Sequence, residues 1–194
     1  MSLRQQLRNA TTPLHHQVDA AFGAYALHTR DGYSDFLLAH ARALFGLELA
    51  LEASGIECLL PDWPQRRRRD ALRQDLLALD LAVPTPLTLP DTLDSTTCWG
   101  LVYVLEGSRL GARLLLERVR ETPWPGQLDA LHYLQHAGDS ALWPRFLSQL
   151  QLAAGELNAA AVCRGAELGF QQFIAAASQV CHAQAIDNRS TAAP

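Results

Sequence analysis

The chain has 194 residues, 48% hydrophobic and 19% charged, with a formal net charge of −4. That length suits one sizeable core in a single domain, and the acidic balance gives no electrostatic case for binding nucleic acid. No apolar run reaches the roughly 18 residues of a membrane span, the start MSLRQQLRN lacks the apolar centre of a secretory signal, and no C-x-x-C pair occurs among Cys58, Cys98, Cys163 and Cys181, so we expect a cytoplasmic protein with reduced thiols and no membrane contact.

Leucine- and alanine-rich segments with helical periodicity, and the lack of any alternating apolar run, predict an all-α fold. Leu3 to Ala10 reads as a short first helix. Thr12-Pro13 then reads as the cap and first residue of a second helix, continuing through LHHQVDAAFGAY. At about 100° per residue, Leu14, Val18, Ala21, Phe22 and Tyr25 define an inward face centred near Val18. His15 lies at the edge of that face. His16 points nearly the opposite way, beside Asp19 and Gly23. An inward histidine is either a satisfied core residue or a ligand, and the face alone leaves both open.

Past the turn Arg30-Asp31-Gly32 comes a long helix, about 33–54, closed by Gly55. His40 shares its buried face and reads as packing. A helix near 65–79 follows, burying Leu72, Leu76 and Leu79. The run Arg66 to Arg69 crowds its first turn, the wrong end for the helix dipole. Such a run reads as a solvated face or as a docking patch for an acidic partner. VPTPLTLP, Val83 to Pro90, is an extended connector.

Asp94 or Ser95 caps the helix around which the rest is organised, WGLVYVLEGSRLGARLLLERVR, Trp99 to Arg120. Gly107, Ser108, Gly111 and Ala112 make a bare stripe on it. Each glycine costs a helix interior about 1 kcal/mol relative to alanine. Two on one face imply close approach, either of a neighbouring helix or of a flat ligand. Beyond TPWPG, His132 and His136 stand at i, i+4 and read as solvated surface. A helix with Leu142, Phe146 and Leu150 follows. The last helix runs to about His182, ahead of a disordered tail over 184–194.

No glutamate is followed three residues later by histidine, which excludes the usual di-iron bundle pattern. There is no P-loop, G-x-S-x-G or dinucleotide fingerprint. A planar metal macrocycle between the His15 helix and the glycine stripe would account for both: a neutral imidazole on the iron, and a bare helix against the other face.

The residues ATTPLHHQVDAAF, Ala10 to Phe22, resemble the proximal-helix motif of heme oxygenases, and VYVLEGSRLGARLLL, Val102 to Leu116, resembles the distal-helix motif of their bacterial branch. The order of the motifs, their separation and the chain length fit as well. The resemblance implies a single-domain, multi-helical bundle over 1–183. Heme would be both substrate and oxygen-activating cofactor, opened to biliverdin, carbon monoxide and ferrous iron. Carried over by position, His15 matches the proximal iron ligand, and Gly107 and Gly111 match the distal glycines. Ser108 stands where many members carry an aspartate that orders distal waters. Arg8 matches a basic position that meets a propionate, and Phe170 an aromatic position near the pocket. Arg145 is the nearest basic candidate by location for a further propionate contact. Molecular oxygen and an external electron donor, a ferredoxin or reductase type of protein, are the implied partners. Two alternatives stay open: a heme binder or carrier without turnover, and a same-scaffold enzyme with another small substrate, such as a thiamine-degrading one.

Overall fold

The computed structural model describes the backbone of residues 1–121 and 123–190, and the side chains of 1–121 and 123–180. All regular structure among the described residues is helical: α1 (Leu3–Gly23), α2 (Arg30–Ala53), α3 (Ile56–Leu59), α4 (Trp63–Arg66), α5 (Arg69–Ala78), α6 (Ser95–Glu121), α7 (His132–Gln135), α8 (Leu142–Ala153) and α9 (Ala159–Ser190), with 3-10 turns at Gln127–Asp129 and His136–Gly138. The all-α expectation holds. The last helix, expected to end near His182 ahead of a disordered tail over 184–194, continues to Ser190, and only 191–194 of that tail lie outside the described residues. No helix among the described residues is long and apolar enough to cross a membrane.

The first correction concerns the amino terminus, where one helix stands in place of two. Ser2 caps it, accepting from the Gln5 N–H at 3.3 Å, and Pro13 sits inside it. Proline has no N–H, so the carbonyl of Asn9 loses its helical partner. Asn9 is exposed, which leaves that carbonyl to solvent. The hydroxyls of Thr11 and Thr12 donate to the Leu7 and Arg8 carbonyls at 2.8 and 2.7 Å. The local Thr-Pro signal loses because Leu3, Leu7, Thr11 and Phe22 form one buried seam that continues through the proline, with Leu14 and Val18 packed beside it. Arg8 and His15 therefore ride on a single helix, two turns apart.

Helix α9 is the spine. α1, α2 and α6 all pack along it, whereas α1 and α6 scarcely touch each other. The α6–α9 crossing is tight because of glycines outside the stripe noted in the sequence. A Cβ on Gly100 would overlap the Val162 carbonyl oxygen, one on Gly165 would overlap the Thr97 carbonyl oxygen, and one on Gly169 would press on Val104 at 3.2 Å.

The arginine run is the second correction. It is neither a solvated face nor one helix turn: α4 ends at Arg66 and α5 begins at Arg69. Arg66 and Arg68 are buried, at 2% and 1% exposure. Arg66 pairs with Asp62 and Glu106. The Glu48 carboxylate, from α2, accepts the backbone N–H groups of Arg68 (2.7 Å) and Arg69 (3.1 Å) and so caps α5. Burial nonetheless pushes the Glu48 pKa up. Asp75 does the same for α7, accepting from the N–H groups of His132 and Tyr133, both at 2.8 Å. Asp94, as expected, caps α6 through the Thr97 N–H at 2.9 Å. The extended connector lies across α2, where the Leu87 N–H donates to the Arg42 carbonyl at 2.8 Å.

Two alanine substitutions separate close packing from open space. Gly100→Ala should lower the unfolding free energy by about 1–3 kcal/mol, because the methyl meets backbone that no rotamer change can move. Gly111, with nothing within 4 Å of an added Cβ, should gain up to about 1 kcal/mol as alanine from helix propensity. Urea titrations of the two apoproteins give both signs.

Candidate ligand site between α1 and α6

The continuous α1 places Arg4, Arg8, His15 and Asp19 along one flank of its buried seam. His15 is exposed rather than tucked under the core: 61% of its side chain is accessible. Its Nδ1 lies 2.9 Å from Asp19 Oδ2, the i, i+4 distance. A proton on Nδ1 donated to that carboxylate fixes the tautomer and leaves Nε2 as a lone-pair donor. The ring faces Phe170 of α9 at 5.8 Å. His16 is exposed, as the face argument required.

Across the gap stands α6. Its small residues before the stripe and within it have different neighbours. Gly100 and Val104 are covered by α9. Further along, an added Cβ on Gly107 would meet only Trp143, at 3.7 Å, and one on Gly111 would meet nothing within 4 Å. Leu110 and Leu114, beside them, are 50% and 65% exposed. An added Cβ would meet α9 backbone at Gly100 but no part of α9 at Gly107 or Gly111, so this stretch of α6 has room that the Gly100 crossing lacks, and the space between it and the His15 flank of α1 is the candidate wedge. Close helix packing is thus the work of Gly100, Gly165 and Gly169, whereas of the two glycines noted in the sequence Gly107 is bordered only by Trp143 and Gly111 faces open space. The phenol of Tyr103, one turn before Gly107, is raised in pKa by burial and lowered by the charges of Arg4 and Arg8. The charges of the basic flank of α1 are thus felt at Tyr103 of α6.

Behind the stripe lies a polar layer. The Ser108 hydroxyl donates to the Leu105 carbonyl at 2.8 Å and accepts from Arg68 Nη2 at 2.9 Å. Arg68 Nη2 also donates to the Leu105 carbonyl, at 2.9 Å, and its guanidinium lies over the Tyr133 ring at 5.2 Å. Its Nη1 is buried without a hydrogen-bond partner. Arg109 Nη1 donates to the His136 carbonyl at 3.0 Å and lies 3.3 Å from His136 Nδ1. His136 is thus half-buried rather than the solvated surface residue expected, and burial with the neighbouring arginines pushes its pKa down to about 4. His132 is half-exposed, with Nδ1 2.8 Å from the buried Asp75. No group of three metal-ligating side chains occurs among the described residues.

The structure sets His15 against Phe170, brings the charge of Arg8 to Tyr103 one turn before Gly107, leaves Gly111 uncovered and turns Ser108 to Arg68. Arg145 is elsewhere engaged, donating to Asp62 at 3.3 Å. Sequence reasoning gave Arg4 and Tyr103 no part in the site, although Tyr103 was legible as the residue one turn before Gly107. It set Asp19 beside His16, yet Asp19 pairs with His15, its i+4 neighbour. It noted Arg68 only within the run Arg66 to Arg69, whereas Arg68 reaches Ser108.

An all-helical fold that sets an imidazole between a carboxylate and Phe170, with an uncovered glycine on a second helix, is of the class that the two motifs implied. The chain belongs to the heme oxygenase family. Over 152 residues, 74% of this chain and 87% of the relative, it is 38% identical to a heme oxygenase of Xanthomonas campestris pv. campestris (strain 8004). Its fold is similar to that of the NO- and CO-bound heme oxygenase from Neisseria meningitidis, with a TM-score of 0.77 at 22% identity over 93% of this chain and 92% of that one. No family model matches.

His40 closes the proximal end of the core as packing, as expected. It sits among the rings of Phe22, Phe36, Tyr133 and Phe173, at 4.2–5.7 Å, and burial pushes its pKa down to about 3. A histidine near 6.5 when unfolded then binds its proton only on unfolding. Its stabilising contribution is full above about pH 6.5 and is lost as pH falls toward 3, at up to about 1.4 kcal/mol per pH unit. His40→Leu should flatten the loss of apoprotein stability with pH across that window, read from urea unfolding at several pH values.

Proposed function

We propose that this chain binds one heme in the wedge and opens it to biliverdin, carbon monoxide and ferrous iron. The observation that carries the reading is His15, its Nδ1 held by Asp19 and its ring against Phe170; the uncovered Gly111, with only Trp143 beside Gly107, supports it. The residues fit the group: an imidazole Nε2 for iron, an apolar floor at Phe170, and a bare wall opposite. Heme, when bound, supplies the oxygen-activating chemistry and is itself the substrate.

The residues of the chain have separate tasks. His15 would hold the iron through Nε2, and Asp19 keeps its ring turned. Gly107 and Gly111 leave room on the far face for a small gaseous ligand. Arg8, with Arg4 and Tyr103, forms the polar end that receives the propionates; an arginine–carboxylate contact at such an exposed edge is worth on the order of 1 kcal/mol. Ser108 has its hydroxyl proton committed to Leu105. The uncommitted buried N–H of Arg68 is the donor behind it, and we assign ordering of the distal polar groups to this pair. Electrons come from a separate protein of ferredoxin or reductase type, because the chain carries no flavin or nicotinamide fingerprint. The committed Ser108 proton favours one other reading, a heme binder without turnover.

Anaerobic hemin titration followed by reductant and oxygen tests both. The wild type should bind one hemin per chain with a histidine-ligated spectrum, then yield biliverdin. His15→Ala should lose the axial signature, His16→Ala should keep it, and Asp19→Asn should keep it with a weakened imidazole. A stable hemin complex that yields no biliverdin supports the binder; equal effects at His15 and His16 contradict the site.

A further inference from the structure

Trp143 of α8 is the residue closest to the bare wall. The Cη2 and Cζ3 atoms of its indole are the only neighbours that a Cβ on Gly107 would meet, at 3.7 and 3.9 Å, whereas Gly111 faces none. The wedge is therefore walled at one glycine and open at the other. The indole is bracketed on both sides. It stacks on Phe146 (6.0 Å between centroids, 23° between planes), which faces Trp99 of α6 at 5.8 Å, and it lies tilted against Tyr103 at 5.5 Å.

Its backbone is held as firmly. Arg66 Nη1 donates to the Leu142 carbonyl at 3.1 Å and to Glu106 Oε2 at 2.8 Å. One nitrogen thus ties the first turn of α8 to the residue immediately before Gly107. Asp62 takes Arg66 Nε and Nη2 in a fork, both at 2.7 Å, and Gln149 lies 3.5 Å from Nη2. A buried guanidinium engaged at all three nitrogens is a rigid spacer. Simple helix packing does not require the anchored indole to border the glycine that faces the ligand.

Resting on the heme reading above, we propose that Trp143, set against Gly107 by Arg66, is a positioning residue that limits in-plane rotation of the macrocycle and so selects which bridging carbon is opened. A wall on the Tyr103 side with free space on the Gly111 side admits one orientation and obstructs those that turn a substituted edge toward the indole. Arg66 acts through Trp143 and does not line the wedge.

The test compares wild type, Trp143→Phe and Trp143→Ala, with Leu150→Ala as a control that loses buried packing in the same helix away from the wedge. Four properties are read: apoprotein melting temperature, hemin affinity, heme-methyl proton resonances of the cyanide-ligated hemin complex, and biliverdin isomer composition. Trp143→Ala should add a second set of heme-methyl resonances and a second isomer amounting to a tenth or more of product. Trp143→Phe should move both in the same direction by less. Leu150→Ala should lower the melting temperature while keeping the wild-type resonances and isomer. Wild-type resonances and isomer composition in Trp143→Ala overturn the proposal, whatever its melting temperature. If that variant does not fold, the same two readouts in Trp143→Phe decide. A second isomer appearing equally in Leu150→Ala also overturns it. A wild type that binds no hemin overturns the heme reading, and this inference with it.

Discussion

Everything at the candidate site depends on how closely α6 approaches α9. Gly100 and Gly165 let backbone meet backbone at one point, with Gly169 against Val104. That contact fixes how α6, of 27 residues, lies along α9, of 32. Helix α1 packs along α9 as well and scarcely touches α6, and the wedge proposed for the ligand is the space left between them. Gly107 and Gly111 then keep it from being refilled by the helix's own side chains.

The distal helix is fixed from behind by charge. Arg66, Arg109 and Glu106 are buried together, with Glu106 accepting from Arg66 at 2.8 Å and from Arg109 at 3.0 Å. Such pairs add little net stability, because desolvation consumes most of the Coulombic gain. Removing one member is costly, since the others are left charged in a low-dielectric interior. Their value here is specificity of place. Arg109 also donates to the Arg66 carbonyl and the His136 carbonyl, so α4, α6 and the 3-10 turn at His136–Gly138 move as one body. Glu48 and Asp75 extend the scheme, each reaching from a long helix to cap a shorter one.

Much of this was legible in the sequence, and the limits have physical causes. The solvent-facing His16 followed from helical geometry alone, because a seam of apolar residues fixes the rotation of α1, whereas His15, expected to look inward, is exposed at the edge of that seam against Phe170. The same seam defeated the reading of Thr12-Pro13 as a start: its burial against α9 outweighs one missing hydrogen bond, and no local rule weighs the two. The arginine run failed differently. Its side chains meet Glu106 and the Leu105 carbonyl, partners some forty residues away, and charge runs with distant partners look the same in sequence as solvated ones. The glycine stripe was half legible. Its spacing called for close approach, but only the position of α9 distinguishes Gly100, which is covered, from Gly111, which is not.

The central claim is that the ligand lies between the His15 flank of α1 and the Gly107–Gly111 stretch of α6. Hydrogen–deuterium exchange of the apoprotein with and without one equivalent of hemin tests it most directly. New protection should be confined to α1 around His15 and to α6 from about Tyr103 to Leu114, with α9 near Phe170 following. Protection centred instead on the groove that Leu3, Leu147 and Leu152 line between α1 and α8, with α6 unchanged, would contradict it.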